Sequence, residues 1–203
     1  MAIPLSVVLF AGFELLDVVG PIELLSRLPE DIEITVVGPT AGPVPSGQGT
    51  EILATVGYDD AEPTAIAMVP GGPGTRPLVH DEEFLEWLST WAARADLVTS
   101  VCTGSALLAA AGLLEGHRAT SNKRAFEWAA SHGSNVEWVP KARWVHDRTR
   151  WTSSGVAAGM DMTAALIASI LGDAAAERAA EEIELELHRD ADWDPFAKVY
   201  GLA

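Results

Sequence analysis

Leu97-Val98-Thr99-Ser100-Val101-Cys102-Thr103-Gly104-Ser105-Ala106 decides the reading of this chain. A short apolar run ends at a cysteine, and small residues open a helical pattern at once, Gly104–Leu114, apolar nearly all round. This is the layout of a nucleophile elbow, a tight strand-to-helix turn that holds one side chain above the sheet. Gly104 and Ser105 let the helix approach closely, and the unpaired N–H groups at its start favour a thiolate, the reactive form of cysteine. A lone cysteine is ordinarily an inert packing residue. The strand–Cys–small–Gly–helix setting points instead to a functional thiol.

Working outward, short apolar runs alternate with longer helical patterns, as in an α/β domain with a mainly parallel sheet. The runs Pro4–Phe10, Ile32–Gly38, Ala65–Val69 and Leu97–Val101 read as strands, as do the later Val136–Val139 and Ala142–Thr152, with Asp147-Arg148 at a turn. Helical patterns cover Pro21–Leu28 (with Pro21 in the favoured first turn), Asp81–Ala95, Gly155–Leu171 and Asp173–His188. The acidic residues of the last helix read as a solvated face. Trp128, Trp138, Trp144, Trp151 and Trp193 read as core and sheet-face residues.

The chain has 203 residues, and 13 Lys+Arg against 29 Asp+Glu give a formal charge of −16. At roughly 100–200 residues per domain this predicts one domain spanning 1–203, able to bury a core without a disulfide or metal staple. The acidic balance argues against nucleic acid and against an anionic membrane surface as partners. The one compact basic cluster, Lys141, Arg143, Arg148 and Arg150, reads as a solvated sheet edge. No apolar run is long enough to span a membrane, the start lacks a basic signal-peptide region, and the single cysteine forms no intrachain disulfide; a cytoplasmic location is expected. No residues have zinc-ligand spacing, so neither metal nor cofactor is expected.

Two further segments follow strand ends, where open α/β sheets bind ligands. Pro70-Gly71-Gly72-Pro73-Gly74 allows close backbone approach, with N–H groups facing an anion. Phe13-Glu14-Leu15-Leu16-Asp17-Val18-Val19-Gly20-Pro21 places Asp17 among apolar residues, although spacing alone favours a capping or turn carboxylate there and leaves Glu14 and Glu23 as rival acids.

VCTGSALLAAAGLLEG with Cys102, MVPGG at 68–72, LLDVVGPIELL with Asp17 and TSSGVAAGMDMTAAL at 152–166 resemble the ThiJ/PfpI superfamily, which is class I glutamine-amidotransferase-like. Within it they are most similar to the isonitrile hydratase branch and to the ligand domains of AraC-type regulators. The resemblance runs in order over residues 3–172. It implies a flavodoxin-like three-layer sandwich, a homodimer, Cys102 as nucleophile, Asp17 as acid/base, and backbone N–H groups of Gly72 and Thr103 as oxyanion-type donors, with the Thr103 hydroxyl able to position water. The expected reaction adds water to a small isonitrile through a Cys thioimidate, giving an N-substituted formamide. A carboxyl against the thiol should share one proton with it, raising the carboxyl's pKa. A DNA-binding regulator is not expected, because the chain ends soon after the Asp173–His188 helix.

One departure stands out. Family members often carry a histidine in a stretch such as A-T-T-H-W, where this chain has Ala119-Thr120-Ser121-Asn122-Lys123. The five histidines, His80, His117, His132, His146 and His188, lie elsewhere and read as structural or exposed. Asn122 therefore counts against a Cys–His hydrolase or glyoxalase-like enzyme. It also leaves room for a changed substrate. A redox-sensing thiol protein and a non-catalytic ligand-binding module are the other readings.

Overall fold

Ile3–Val8 (β1) is followed by Leu15–Leu25 (α1), Ile32–Gly38 (β2), the hairpin Gly42–Pro45 (β3) and Glu51–Ala54 (β4), and Val56–Gly57 (β5) in the computed structural model, which describes residues 2–203. Next come Ile66–Val69 (β6), Thr75–Leu78 (α2), Glu82–Ala92 (α3), Leu97–Ser100 (β7), Gly104–Ala110 (α4), Arg118–Ala119 (β8), Phe126–Ala129 (α5) and Glu137–Trp138 (β9). Trp144–Asp147 (β10), Arg150–Ser153 (β11), Ala158–Leu171 (α6), Asp173–Glu182 (α7) and Pro195–Val199 (α8) complete the order.

The main sheet runs β10-β11-β7-β6-β1-β2-β5, parallel throughout except for β10, which pairs antiparallel with β11. One helical layer holds α1, α6 and α7, and α2, α3 and α4 pack together as another, so the central strands are covered on both faces. Their apolar runs follow from this: all four residues of β6 are buried, as are Leu5, Val7 and Val8 of β1. The fold is the α/β flavodoxin-like sandwich. From β1 the chain works outward through β2 to β5 and then returns to β6 on the other side of β1. That reversal opens a crevice at the carboxyl ends of β1 and β6, where open α/β sheets bind ligands.

Two helix boundaries and the placement of one tryptophan differ from the sequence reading. Helix α1 starts six residues before Pro21, which therefore lies inside it. Its start is capped from afar: Gln48 Oε1 accepts the Leu15 N–H at 3.0 Å, while Gln48 Nε2 donates to Glu14 at 2.7 Å. The helix after Asp173 stops at Glu182, and Glu184 adopts φ +53° just beyond. Trp193 is 53% exposed rather than packed in the core.

The basic cluster also divides. Lys141 and Arg148 are exposed at the sheet edge, but Arg143 turns inward. Its Nε donates to Asp161 at 2.7 Å, and its Nη1 lies 3.8 Å from Asp194, two carboxylates that are 6% and 1% exposed. The Arg143 N–H meets the Ala191 carbonyl, Asp161 accepts the His188 N–H, and Asp194 caps α8 through the Phe196 N–H. One guanidinium thus holds the C-terminal segment to the sheet edge and α6. Arg143→Ala strands two buried carboxylates and should lower the unfolding free energy by about 3–5 kcal/mol. Urea denaturation reads this directly, and a loss under about 1 kcal/mol would show the network to be ornamental.

Candidate active site

The elbow is strained and over-determined. Cys102 has φ +58°, a left-handed conformation that costs a non-glycine residue about 1–3 kcal/mol. Its N–H donates to Ser154 O at 3.1 Å, and its carbonyl accepts two hydroxyls, from Ser105 at 3.1 Å and Ser121 at 3.0 Å. Two glycines make room. A Cβ on Gly104 would sit 2.3 Å from Val69 O, and one on Gly71 would sit 2.5 Å from Thr103 N and 2.9 Å from Cys102 Cβ. The turn after β6 is therefore pressed directly against the turn after β7.

Asp17 arrives from the third residue of α1 and is fully buried. Its Oδ2 accepts the Gly71 N–H at 2.8 Å. Its Oδ1 makes no hydrogen bond of ordinary geometry, and the Cys102 thiol is close enough to interact with the carboxyl. The loop before α1 is clamped by the β3–β4 hairpin: the Gly12 N–H donates to Pro45 O at 2.8 Å and the Gly47 N–H to Phe13 O at 2.7 Å. Of the rival acids, Glu14 is tied to Gln48 and touches the site only through its charge, while Glu23 is exposed and paired with Arg27.

Burial raises the Asp17 pKa to about 7; the Gly71 N–H and the thiol oppose this, and the Glu14 charge adds to it. Burial first, and the Asp17 charge second, push the Cys102 thiol up as well. The local donors that favour a thiolate are in place, and desolvation works against them. Two buried acids facing one another keep a proton between them at neutral pH.

Three donors oppose the desolvation of the sulfur: the backbone N–H groups of Thr103 and Val156, and the side chain of Asn122. Asn122 Oδ1 accepts the Ala125 N–H at 3.1 Å, which leaves Nδ2 to face Cys102, packed over Gly155. Among the described residues no histidine acts on the thiol. Val156, a β-branched residue at φ +35°, precedes α6. The Gly72 N–H is engaged, donating to Thr103 Oγ1 at 3.0 Å, and the Thr75 hydroxyl bridges Gly72 O at 2.7 Å and Thr103 Oγ1 at 3.2 Å.

Asp17, Gly72, Cys102 and Thr103 thus meet at one point, from the ends of β1, β6 and β7. Sequence reasoning missed Val156, Ser121, Ser154 and Thr75. The small-residue run Ser153-Ser154-Gly155 at the end of β11 was the available signal for part of this set.

The sequence pattern of the DJ-1/PfpI family matches residues 5–169. The chain belongs to the DJ-1/PfpI family. It is 36% identical over 173 residues to an isonitrile hydratase of Pseudomonas putida, covering 85% of this chain and 74% of that one. A ThiJ/PfpI family protein from Pseudomonas syringae, 30% identical, superposes with a TM-score of 0.85 over 99% of this chain and 84% of its own. Drosophila melanogaster DJ-1beta, at 19% identity, shares the fold with a TM-score of 0.79 over 92% of this chain and all of its own. Because Asn122 faces the sulfur, a substitution there should tell in the thiol's reactivity. Asn122→Ser keeps a cap acceptor for Ala125 but loses reach to the sulfur. Alkylation of Cys102 by iodoacetamide at fixed pH should slow about tenfold, the worth of one hydrogen bond to a charged group. An unchanged rate would remove Asn122 from the account. No helix among the described residues is long and apolar enough to cross a membrane.

Proposed function

We propose that this chain is an isonitrile hydratase-like enzyme that adds water to R–N≡C and releases an N-substituted formamide. The observation that carries this reading is the strained elbow, with Cys102 at φ +58°, the buried Asp17 carboxyl beside its thiol, and Asn122 rather than a histidine facing the sulfur. The similarity to the Pseudomonas putida enzyme supports the substrate class.

The terminal carbon of an isonitrile carries a lone pair and accepts a nucleophile while it takes a proton. Cys102 Sγ attacks that carbon as the shared proton, relayed through Asp17, moves to the carbon lone pair. A C–S and a C–H bond form, giving the thioimidate R–N=CH–S on the enzyme. The Asp17 carboxylate then takes a proton from water as its oxygen adds to the same carbon, and passes that proton to nitrogen. Collapse of the adduct breaks the C–S bond, returns the hydroxyl proton to the pair and releases R–NH–CHO. The Thr103 N–H would steady the sulfur between these steps, whereas the Gly72 N–H expected as a second donor is spent on Thr103 Oγ1, which ties up that hydroxyl in turn.

This chemistry needs no cofactor or metal, and a homodimer working on a small molecule in the cytoplasm fits the family resemblance. A Cys–His hydrolase finds no support, since no histidine among the described residues acts on the thiol. A peroxide-sensing thiol would use the same Cys102–Asp17 pair, and stoichiometric oxidation of Cys102 with no turnover of any isonitrile would favour it. Incubation with cyclohexyl isocyanide should yield N-cyclohexylformamide in repeated turnovers. Alkylation of Cys102 without any product would discard the substrate class.

A further inference from the structure

An opening of about 320 Å³ is lined by Arg76, Lys123, Arg124, Trp128, Tyr200 and Glu127 among others, two of which directly follow residues of the site. Both of its walls continue from the site. Arg76 follows Thr75, whose hydroxyl meets Thr103 Oγ1, and Lys123 follows Asn122, which faces the sulfur. Arg76 lies within electrostatic range of Cys102.

The charges here run against the rest of the chain. In a protein of formal charge −16, three of 13 basic residues line this one opening, against a single carboxylate, Glu127. Neither Arg76 nor Arg124 has an ion-pair partner among the described residues, which is true of Arg94, Arg150 and Arg178 as well; what sets these two apart is that both line one opening. Lys123 is committed elsewhere, donating to Thr120 Oγ1, Ser121 O and Ala142 O, and contributes charge rather than free donors. Arg76 is held in place, with its guanidinium carbon 3.5 Å from the centre of the Trp128 ring. A guanidinium stacked on indole keeps its planar edge of N–H donors free, and that edge matches a carboxylate.

We infer that the isonitrile substrate carries an anionic substituent, a carboxylate, which Arg76 and Arg124 receive while the isonitrile carbon meets Cys102. This rests on the hydratase reading for the reacting end and on the pocket alone for the charged end. Holding the anion at a fixed point also orients the reactive carbon, so charge recognition tells in turnover as well as in binding.

The test compares isocyanoacetate and its longer homologue 4-isocyanobutanoate, each against its methyl ester of similar size but no charge. Calorimetric titration into Cys102→Ala reads binding without turnover, and formamide production by the native chain reads kcat/KM. At least one carboxylate should bind about tenfold or more tightly than its ester, with the advantage shrinking as salt is added. In the Arg76→Gln/Arg124→Gln variant the acid-to-ester ratio should fall toward one. Equal binding of acid and ester for both lengths, or a ratio untouched by the double substitution, would overturn the inference. Tight binding of a carboxylate with no formamide from any isonitrile would uphold the anion site and bring down the hydratase reading instead.

Discussion

Cys102→Ala should abolish formamide formation while leaving the chain folded. The sulfur makes the covalent bond in the proposed route, and nothing else at the elbow replaces it. Ser105 and Ser121 are spent on the Cys102 carbonyl, and the Thr103 hydroxyl is engaged by Gly72 and Thr75. Loss of a nucleophile costs about a thousandfold or more in kcat, so an end-point assay suffices. The fold should survive because what holds the elbow is backbone: the Cys102 N–H to Ser154 and its carbonyl to two serines remain, and alanine bears the same left-handed φ. Chemical denaturation should place the variant within about 1 kcal/mol of the native chain. Full turnover by the variant would refute covalent catalysis outright.

Asp17→Asn is the second large effect, and its signature lies in pH. The native pair works when it holds one proton and fails when it holds two, because the carboxyl can then accept none from the thiol or from water. With Asp17 near 7, native kcat/KM should climb with pH through about 7 and level off above it. Asparagine keeps an oxygen for the Gly71 N–H but carries no proton between sulfur, carbon and water. Turnover should fall by about a hundredfold to ten-thousandfold, and the acid limb should vanish from what remains. Stability should move the other way. A carboxyl whose folded pKa is raised from 3.8 to about 7 costs nothing below pH 4, costs progressively more as pH rises through that interval, and costs most above 7. The variant should therefore resist urea better than the native chain at pH 8 and not at pH 4. Loss of both activity and stability at pH 8 would mean that Asp17 serves the fold rather than the chemistry.

Much of this was legible beforehand because it is local. The elbow at Cys102, the alternation of strand and helix, and the turn at Asp147-Arg148 each follow from a few neighbouring residues, and Arg148 does adopt φ +57°. What escaped is long-range. Pro21 marked a helix start only because the true cap, Gln48, lies 33 residues beyond Leu15. Arg143 sits in a stretch that spacing reads as an exposed edge, and only the return of Asp194 from the C-terminal segment draws it inward. Asp17 could not be separated from Glu14 by spacing, since burial against Gly71 and Cys102 is what distinguishes it. The start of the helix is a local feature of the sequence, whereas the desolvation that opposes a thiolate comes from everything packed around the sulfur.

The clamp from the β3–β4 hairpin has a consequence for how rate can vary among proteins of this kind. The carboxyl rides on the first turn of α1, and that turn is registered by Pro45, Gly47 and Gln48 on a hairpin outside the main sheet. Two chains with every reacting residue alike can thus differ in speed through the hairpin alone, which tilts the acid toward or away from the sulfur. In the proposed route, exchange of residues 45–48 would then act as a tuning screw on the chemistry without touching Asp17 or Cys102.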